Sequence, residues 1–204
     1  MGNEIAKVTF DDGWEDAAAE NATRKIKGKH LKYDDRRWKT GKDNNDLTGT
    51  KLVVLATAKE WAKFSGSKVV DQRPYTSGNP ILREELGDDD DTQWEPGPDG
   101  KPQDPWSDVR YVYLEDPNTA ESYTFTTSSA GGRSAVLDLA DQIQRMRLRH
   151  PGAIPLIELQ SAPMPTRFGM KSKPFFKVIG WDARTTASVT RFPPAPGRFS
   201  TMNC

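Results

Sequence analysis

The stretch from Val109 to Trp181 constrains the fold more than any other part of the chain. Val109-Arg-Tyr-Val-Tyr-Leu-Glu115 reads as a strand, Asp116-Pro117-Asn118 as its turn, and Glu121-Ser-Tyr-Thr-Phe-Thr-Thr127 as its partner. A Ser128-Ser-Ala-Gly-Gly132 turn then opens a helix predicted over about Arg133 to Arg149. Val136, Leu139, Ala140, Ile143 and Met146 give it an apolar stripe at three- and four-residue spacing. Ser128 or Ser129 can cap its start, and His150-Pro151-Gly152 stops it. Ile154-Pro-Leu-Ile-Glu-Leu159 and Pro174-Phe-Phe-Lys-Val-Ile-Gly-Trp181 read as two closing strands.

A second hairpin precedes this unit. Lys51-Leu-Val-Val-Leu-Ala-Thr57 is β-branched and apolar enough to be a central strand. Ala58–Phe64 reads as its extension or as a bend through a bulge, while Trp61 and Phe64, three apart, carry helical spacing. Ser65-Gly66-Ser67 turns the chain, and Lys68–Arg73 returns. Leu31 and Tyr33, alternating with Lys32, suit a short half-buried strand. Two strands after a single helix match a β-rich, OB-like Greek-key barrel, in which the helix lies between the third and fourth strands. A mixed α+β sandwich gives the same string.

The 204 residues suit one domain with decorations. The expected division is an N-terminal arm over 1–23, an OB-like domain over 24–182 and a Pro/Arg-rich tail over 183–204. Within the domain, residues 76–108 form a long acidic, Pro-rich inserted loop, which Trp94 and Trp106 should pin to the body. Cys204 is the one cysteine, so no internal disulfide can form and a reducing compartment is expected. With no signal-like start and no apolar run of about 20 residues, the expectation is a cytoplasmic protein with no membrane partner.

Formal net charge is zero, from 29 basic and 29 acidic residues, but the charges are segregated. Arg24–Lys42 holds nine Lys/Arg against two Asp, whereas Glu84–Asp91 holds six acids and no base. The first segment interleaves Lys29, Lys32, Arg36, Arg37 and Lys39 with His30, Tyr33 and Trp38, a pattern that gives phosphates a positive path and bases a stacking surface. Tyr111 and Tyr113 share one face of their strand, and Tyr123 and Phe125 share a face of the next. If the two pairs lie side by side, four aromatics make a platform. The same residues serve equally well as cross-strand packing, and the basic run as a solvated edge guarded against aggregation.

The motifs Gly28-Lys-His-Leu-Lys-Tyr33 with Trp38, Glu85-Leu-Gly-Asp88 with Trp94, and Asp104-Pro-Trp106 carry a resemblance, together with Tyr123-Thr-Phe-Thr-Thr-Ser-Ser-Ala-Gly-Gly-Arg133 and Pro174–Trp181. Across Ile26 to Trp181 the chain resembles a family of phage and prophage proteins of uncharacterised activity. The resemblance implies an accessory of DNA replication or recombination in a bacterial host cell. Many phage single-stranded-DNA-binding proteins end in an acidic, protein-recruiting tail. This chain ends in a basic, Pro-rich one and carries its acidic run internally.

Chemistry-bearing motifs are few. Asp88–Asp91 offers hard oxygen ligands but lacks the spacing of a calcium loop. Ser128–Arg133 presents helix N–H groups and a guanidinium to an anion, yet it is no Walker loop. His30 and His150 are the two histidines, and neither sits in a nucleophile–base context. The expectation is therefore a non-catalytic protein without metal or cofactor that binds single-stranded DNA, with RNA as an alternative ligand. Replication or recombination proteins and a second copy of the chain are further candidate partners. The alternative reading is a host-takeover factor that mimics DNA through residues 84–91, and a carboxylate-dependent nuclease is a third.

Overall fold

Lys51–Thr57 begins a strand that does not stop there. In the computed structural model, which describes residues 25–97, 100–167 and 169–182, it runs unbroken from Lys51 to Ser65 as β3. The helical spacing of Trp61 and Phe64 is overridden by pairing on both edges of that segment. The other strands are β1 (Lys29–Asp34), β2 (Arg37–Thr40), β4 (Lys68–Pro74), β5 (Trp106–Glu115), β6 (Ser122–Thr127), β7 (Ile154–Thr166) and β8 (Gly169–Asp182). Among the described residues one α-helix, α1, spans Ala130–Arg147. The expected arm 1–23 and tail 183–204 lie outside the described residues.

Seven strands follow the order β2-β1-β6-β5-β3-β7-β8, with β4 paired to the far half of β3. All pairs are antiparallel except β1 with β6. The sheet curls into a nearly closed barrel. At the seam the Trp38 indole N–H donates to the Gln160 carbonyl at 2.7 Å. Beside it Gly49 N–H donates to Leu159 O at 2.8 Å, and Leu159 N–H to Thr50 O at 3.0 Å. The Tyr33 hydroxyl is hydrogen-bonded to Ser161 and Ser172 on the β7–β8 hairpin.

The core fills the barrel. Leu31, Trp38, Leu52, Val112, Leu114 and Phe125 meet Val136 and Leu139 of α1 and Ile157, Leu159 and Phe176 of the last two strands. Trp38 is fully buried and packs on Tyr33, Phe125 and Phe176 with ring centroids 5.4, 5.0 and 5.0 Å away.

The helix starts three residues before the predicted Arg133. Ser129 caps it by accepting from Gly132 N–H at 3.1 Å, so both glycines fall inside the first turn. Glycine is required at 132, because a Cβ there would meet the Thr127 hydroxyl oxygen at 2.0 Å. The closing strands are longer than predicted, since β7 continues through Pro163 and Pro165. A strand with a free edge tolerates residues that lack N–H donors.

Trp38→Ala should cost about 3–5 kcal/mol of stability, because it empties a fully buried aromatic site. Lys32→Ala, on the half-buried outer side of the same hairpin, should change stability by less than about 0.5 kcal/mol. Urea denaturation of the two variants beside the parent tests both.

Candidate nucleic-acid interface

The basic segment folds into the β1–β2 hairpin. Its tip, Asp35-Arg36, takes left-handed backbone angles at both residues (φ 48° and 62°), as a two-residue hairpin turn requires. Strand alternation then sorts the side chains. Leu31, Tyr33 and Trp38 face the core, whereas Lys32 and Lys39 form a cross-strand pair on the outer face. Arg36 and Arg37 are exposed at the tip.

Several of these cations are already engaged. Lys29 pairs with Glu121, Arg37 with Asp46 at 3.3 Å, and Lys39 with Asp34 at 3.4 Å. Arg133 lies 3.7 Å from Asp108, which also accepts from Arg110 and from the Tyr75 hydroxyl. Lys32 and Arg36 have no ion pair among the described residues. Burial, followed by the Lys32 charge, lowers the pKa of His30.

The expected four-aromatic platform does not form. Register settles the matter: Tyr123 lies opposite Leu114 and Phe125 opposite Val112, so both point into the barrel. Tyr111 and Tyr113 lie opposite Thr126 and Thr124, on the other face. Trp38 is withdrawn into the core as well, and Tyr33 is half-buried at the seam. On the outer face of the sheet the buried Tyr111 and the half-buried Tyr113 stack 6.4 Å apart with an 8° interplanar angle, packed with Ala62, Phe64 and Val109.

That pair shares its sheet face with the basic hairpin. His30 is in register with Thr124, and Thr124 with Tyr113, so a continuous row crosses β1, β6 and β5. Lys32 stands two residues from His30 on the same face. Two strand spacings, about 10 Å, separate β1 from the tyrosines.

Residues 25–28 run over this face. Lys27 N–H donates to the Thr124 hydroxyl at 2.8 Å, and that hydroxyl donates back to Lys27 O at 2.7 Å. Lys25 pairs with Glu60, a carboxylate only 2% exposed that also accepts from Tyr111 Oη at 2.6 Å and Gln72 Nε2 at 3.3 Å. Burial, then the bond to Glu60, raises the Tyr111 pKa well above the ordinary phenol value. Burial, then the Glu60 charge, raises the pKa of Tyr113.

The acidic run is turned onto its own body. Asp88 accepts from Lys63 Nζ at 2.8 Å and from the Trp106 indole at 2.9 Å, and both hold its pKa low. Arg83 grips Asp104 through two bonds of 2.7 and 2.9 Å and also reaches Asp89. Trp94 donates to Asp88 O at 2.8 Å, a bond within the loop, so of the two tryptophans expected to pin the loop it is Trp106, on β5, whose indole ties it to the sheet. Among the described residues no group of three or more His, Cys, Asp or Glu is arranged to hold a metal ion. No helix among them is long and apolar enough to cross a membrane.

One basic element is absent from the sequence reading. From Leu159 to Trp181 the chain carries Arg167, Lys171, Lys173 and Lys177 and no acid. The signal was legible as a 23-residue stretch without Asp or Glu, but the prolines there masked one continuous hairpin, β7–β8.

The Tyr75 phenol is pushed up to about 12 by burial and then by its bond to Asp108, and the Tyr123 phenol to about 12 by burial and then by Glu121. An unfolded tyrosine titrates near 10, so above that pH the native state holds protons that the unfolded chain has lost. Stability from these groups should be complete below about pH 10 and fall as pH rises to about 12. Urea midpoints measured at about pH 9 and 11.5 test this, and Tyr75→Phe should flatten the fall. Comparison of the chain with protein-family models, with curated proteins and with solved structures finds no match to any of them.

Proposed function

We propose that this chain is a non-catalytic single-stranded-nucleic-acid-binding protein on an OB-like Greek-key barrel. The string β3, β5, β6, α1, β7, β8 supports the fold assignment, since the helix follows three barrel strands and precedes two. The β1–β2 hairpin is then an addition, running parallel to β6 and filling the seam toward β7. In such barrels oligonucleotides lie across one outer sheet face.

One observation carries the functional reading: Lys32 and Lys39 share an outer sheet face with the stacked Tyr111–Tyr113 pair. A strand laid beside residues 25–28, which cross this face at Thr124, would set its phosphates on the lysines and on Arg36, and its bases toward Tyr113. The contribution is electrostatic and stacking in kind, with no base-edge code, so the expected ligand is single-stranded DNA or RNA of any sequence. A role beside phage or prophage replication or recombination proteins, in a bacterial cytoplasm, extends the same proposal. The acidic-loop reading is weaker, because Asp88, Asp89 and Asp104 are engaged by Lys63 and Arg83. A nuclease reading meets the same obstacle.

Fluorescence anisotropy of a labelled oligo-dT should show binding that weakens steeply with salt. Combined Lys32→Glu and Arg36→Glu should reduce affinity for all sequences alike and flatten the salt slope by about 2. Tyr113→Ala should lose roughly 1–3 kcal/mol of binding while leaving the salt slope unchanged. An oligonucleotide affinity undetectable at low salt, or untouched by these variants, would sink the proposal.

A further inference from the structure

Strands β3 and β7 are hydrogen-bonded only over Lys51–Val53 and Leu156–Glu158, and then they part. Two register shifts mark the fork. The β3–β5 ladder slips between Val54 and Ala56, and the β7–β8 ladder between Leu156 and Ile157. Bulges of this kind bend strands and end pairing, and they concentrate near functional sites. On the same edge of β3, pairing resumes only where Tyr75 N–H reaches Lys59 O and β4 takes up Glu60. Residues 54–58 therefore have no strand beside them on that edge among the described residues.

The C-terminal half of α1 lies across the gap, and a cavity of about 490 Å³ opens between them. Val54, Leu55, Ala56, Ile143 and Ile154 make its walls apolar, and Trp181 closes one side with its ring stacked on His150 at 4.8 Å. Among the described residues no Asp or Glu lines it. The cationic group is Arg147. Its neighbour Arg145 is paired with Asp141 at 2.6 Å, but Arg147 has no ion pair among the described residues. Gln144 supplies an amide at the same level of the helix. An apolar cleft of a few hundred Å³ with one or two convergent polar groups is the usual form of a small-ligand site.

We propose that this cavity binds a small amphiphilic organic anion, with its apolar body in the β3–β7 fork and its carboxylate on Arg147. The absence of acid from the lining, and a guanidinium without a described counter-ion, select for an anionic head; the aliphatic walls select for an alkyl or aryl body. The site is separate from the outer face of β1, β6 and β5, because it lies on the opposite edge of β3 from β5.

The test uses the full chain and three probes: 1-anilinonaphthalene-8-sulfonate as reporter, decanoate and its neutral counterpart decanol as competitors. The dye should bind saturably, and decanoate should displace it at roughly tenfold lower concentration than decanol, as expected for one charge-assisted contact. Arg147→Gln should erase that preference while decanol competes as before. Ala140→Trp, at an exposed helix position lining the cavity, should abolish saturable binding with the circular dichroism spectrum unchanged. Wild-type protein that gives no saturable signal, Ala140→Trp that binds as wild type, or an undiminished decanoate preference in Arg147→Gln would each overturn the assignment. Oligonucleotide affinity is measured in parallel and is expected to be the same in all three proteins, so this site and the outer face succeed or fail separately.

Discussion

Burial of Trp38 is the constraint on which the rest of the barrel depends. The residue sits on a four-residue strand that would gain little from its own hydrogen bonds. Its ring fills the space among Tyr33, Phe125 and Phe176, and its one polar atom is satisfied by the Gln160 carbonyl across the seam. One side chain thus joins the first hairpin, β6 and the β7–β8 hairpin. With Trp38 inward, alternation forces Lys39 outward, and cross-strand pairing does the same for Lys32. The placement of charge on the outer face follows from where an indole is buried.

The same alternation explains what could be read from the sequence and what could not. The hairpin Val109–Thr127, the helix and the two closing strands were visible from local pattern, because apolar periodicity and turn residues are local signals. That Tyr111 with Tyr113, and Tyr123 with Phe125, share faces was visible too. Whether the two pairs share one face was not, since it depends on a register between strands set by the turn at Asp116–Ala120. A slip of one residue would have brought all four to the same side. Trp38 misled for a related reason. Its neighbours are charged, so the sequence reads as surface, while its partners Phe125 and Phe176 lie far along the chain.

Long-range pairing also decided the elements that local pattern left open. β3 is helix-like in spacing at Trp61 and Phe64, yet it is held straight by β5 on one edge and β4 on the other. The strand expected to end at Leu159 continues through Pro163 and Pro165, which sit on the exposed half of a two-stranded hairpin where missing N–H groups cost little. The acidic run holds no base of its own, although Arg83 directly precedes it. Its counter-ions, Lys63 and Arg83, come from β3 and from a short 3-10 turn at Arg83–Leu86.

Glu60 shows how closely the outer face is tied to the interior. A carboxylate 2% exposed is costly unless its charge is matched and its oxygens are hydrogen-bonded. Lys25 supplies the charge, and Tyr111 and Gln72 supply donors from β5 and β4. This arrangement anchors the segment entering β1, orients Tyr111 through its hydroxyl, and leaves the half-buried Tyr113 as the more accessible ring of the stacked pair. Loss of either Lys25 or Tyr111 would strand a buried charge or oxygen, which is worse than never having buried it. The orientation of the aromatic pair is therefore fixed before any ligand arrives. Under the proposed function, affinity would then be set by charge and stacking, with no ordering of the pair on contact.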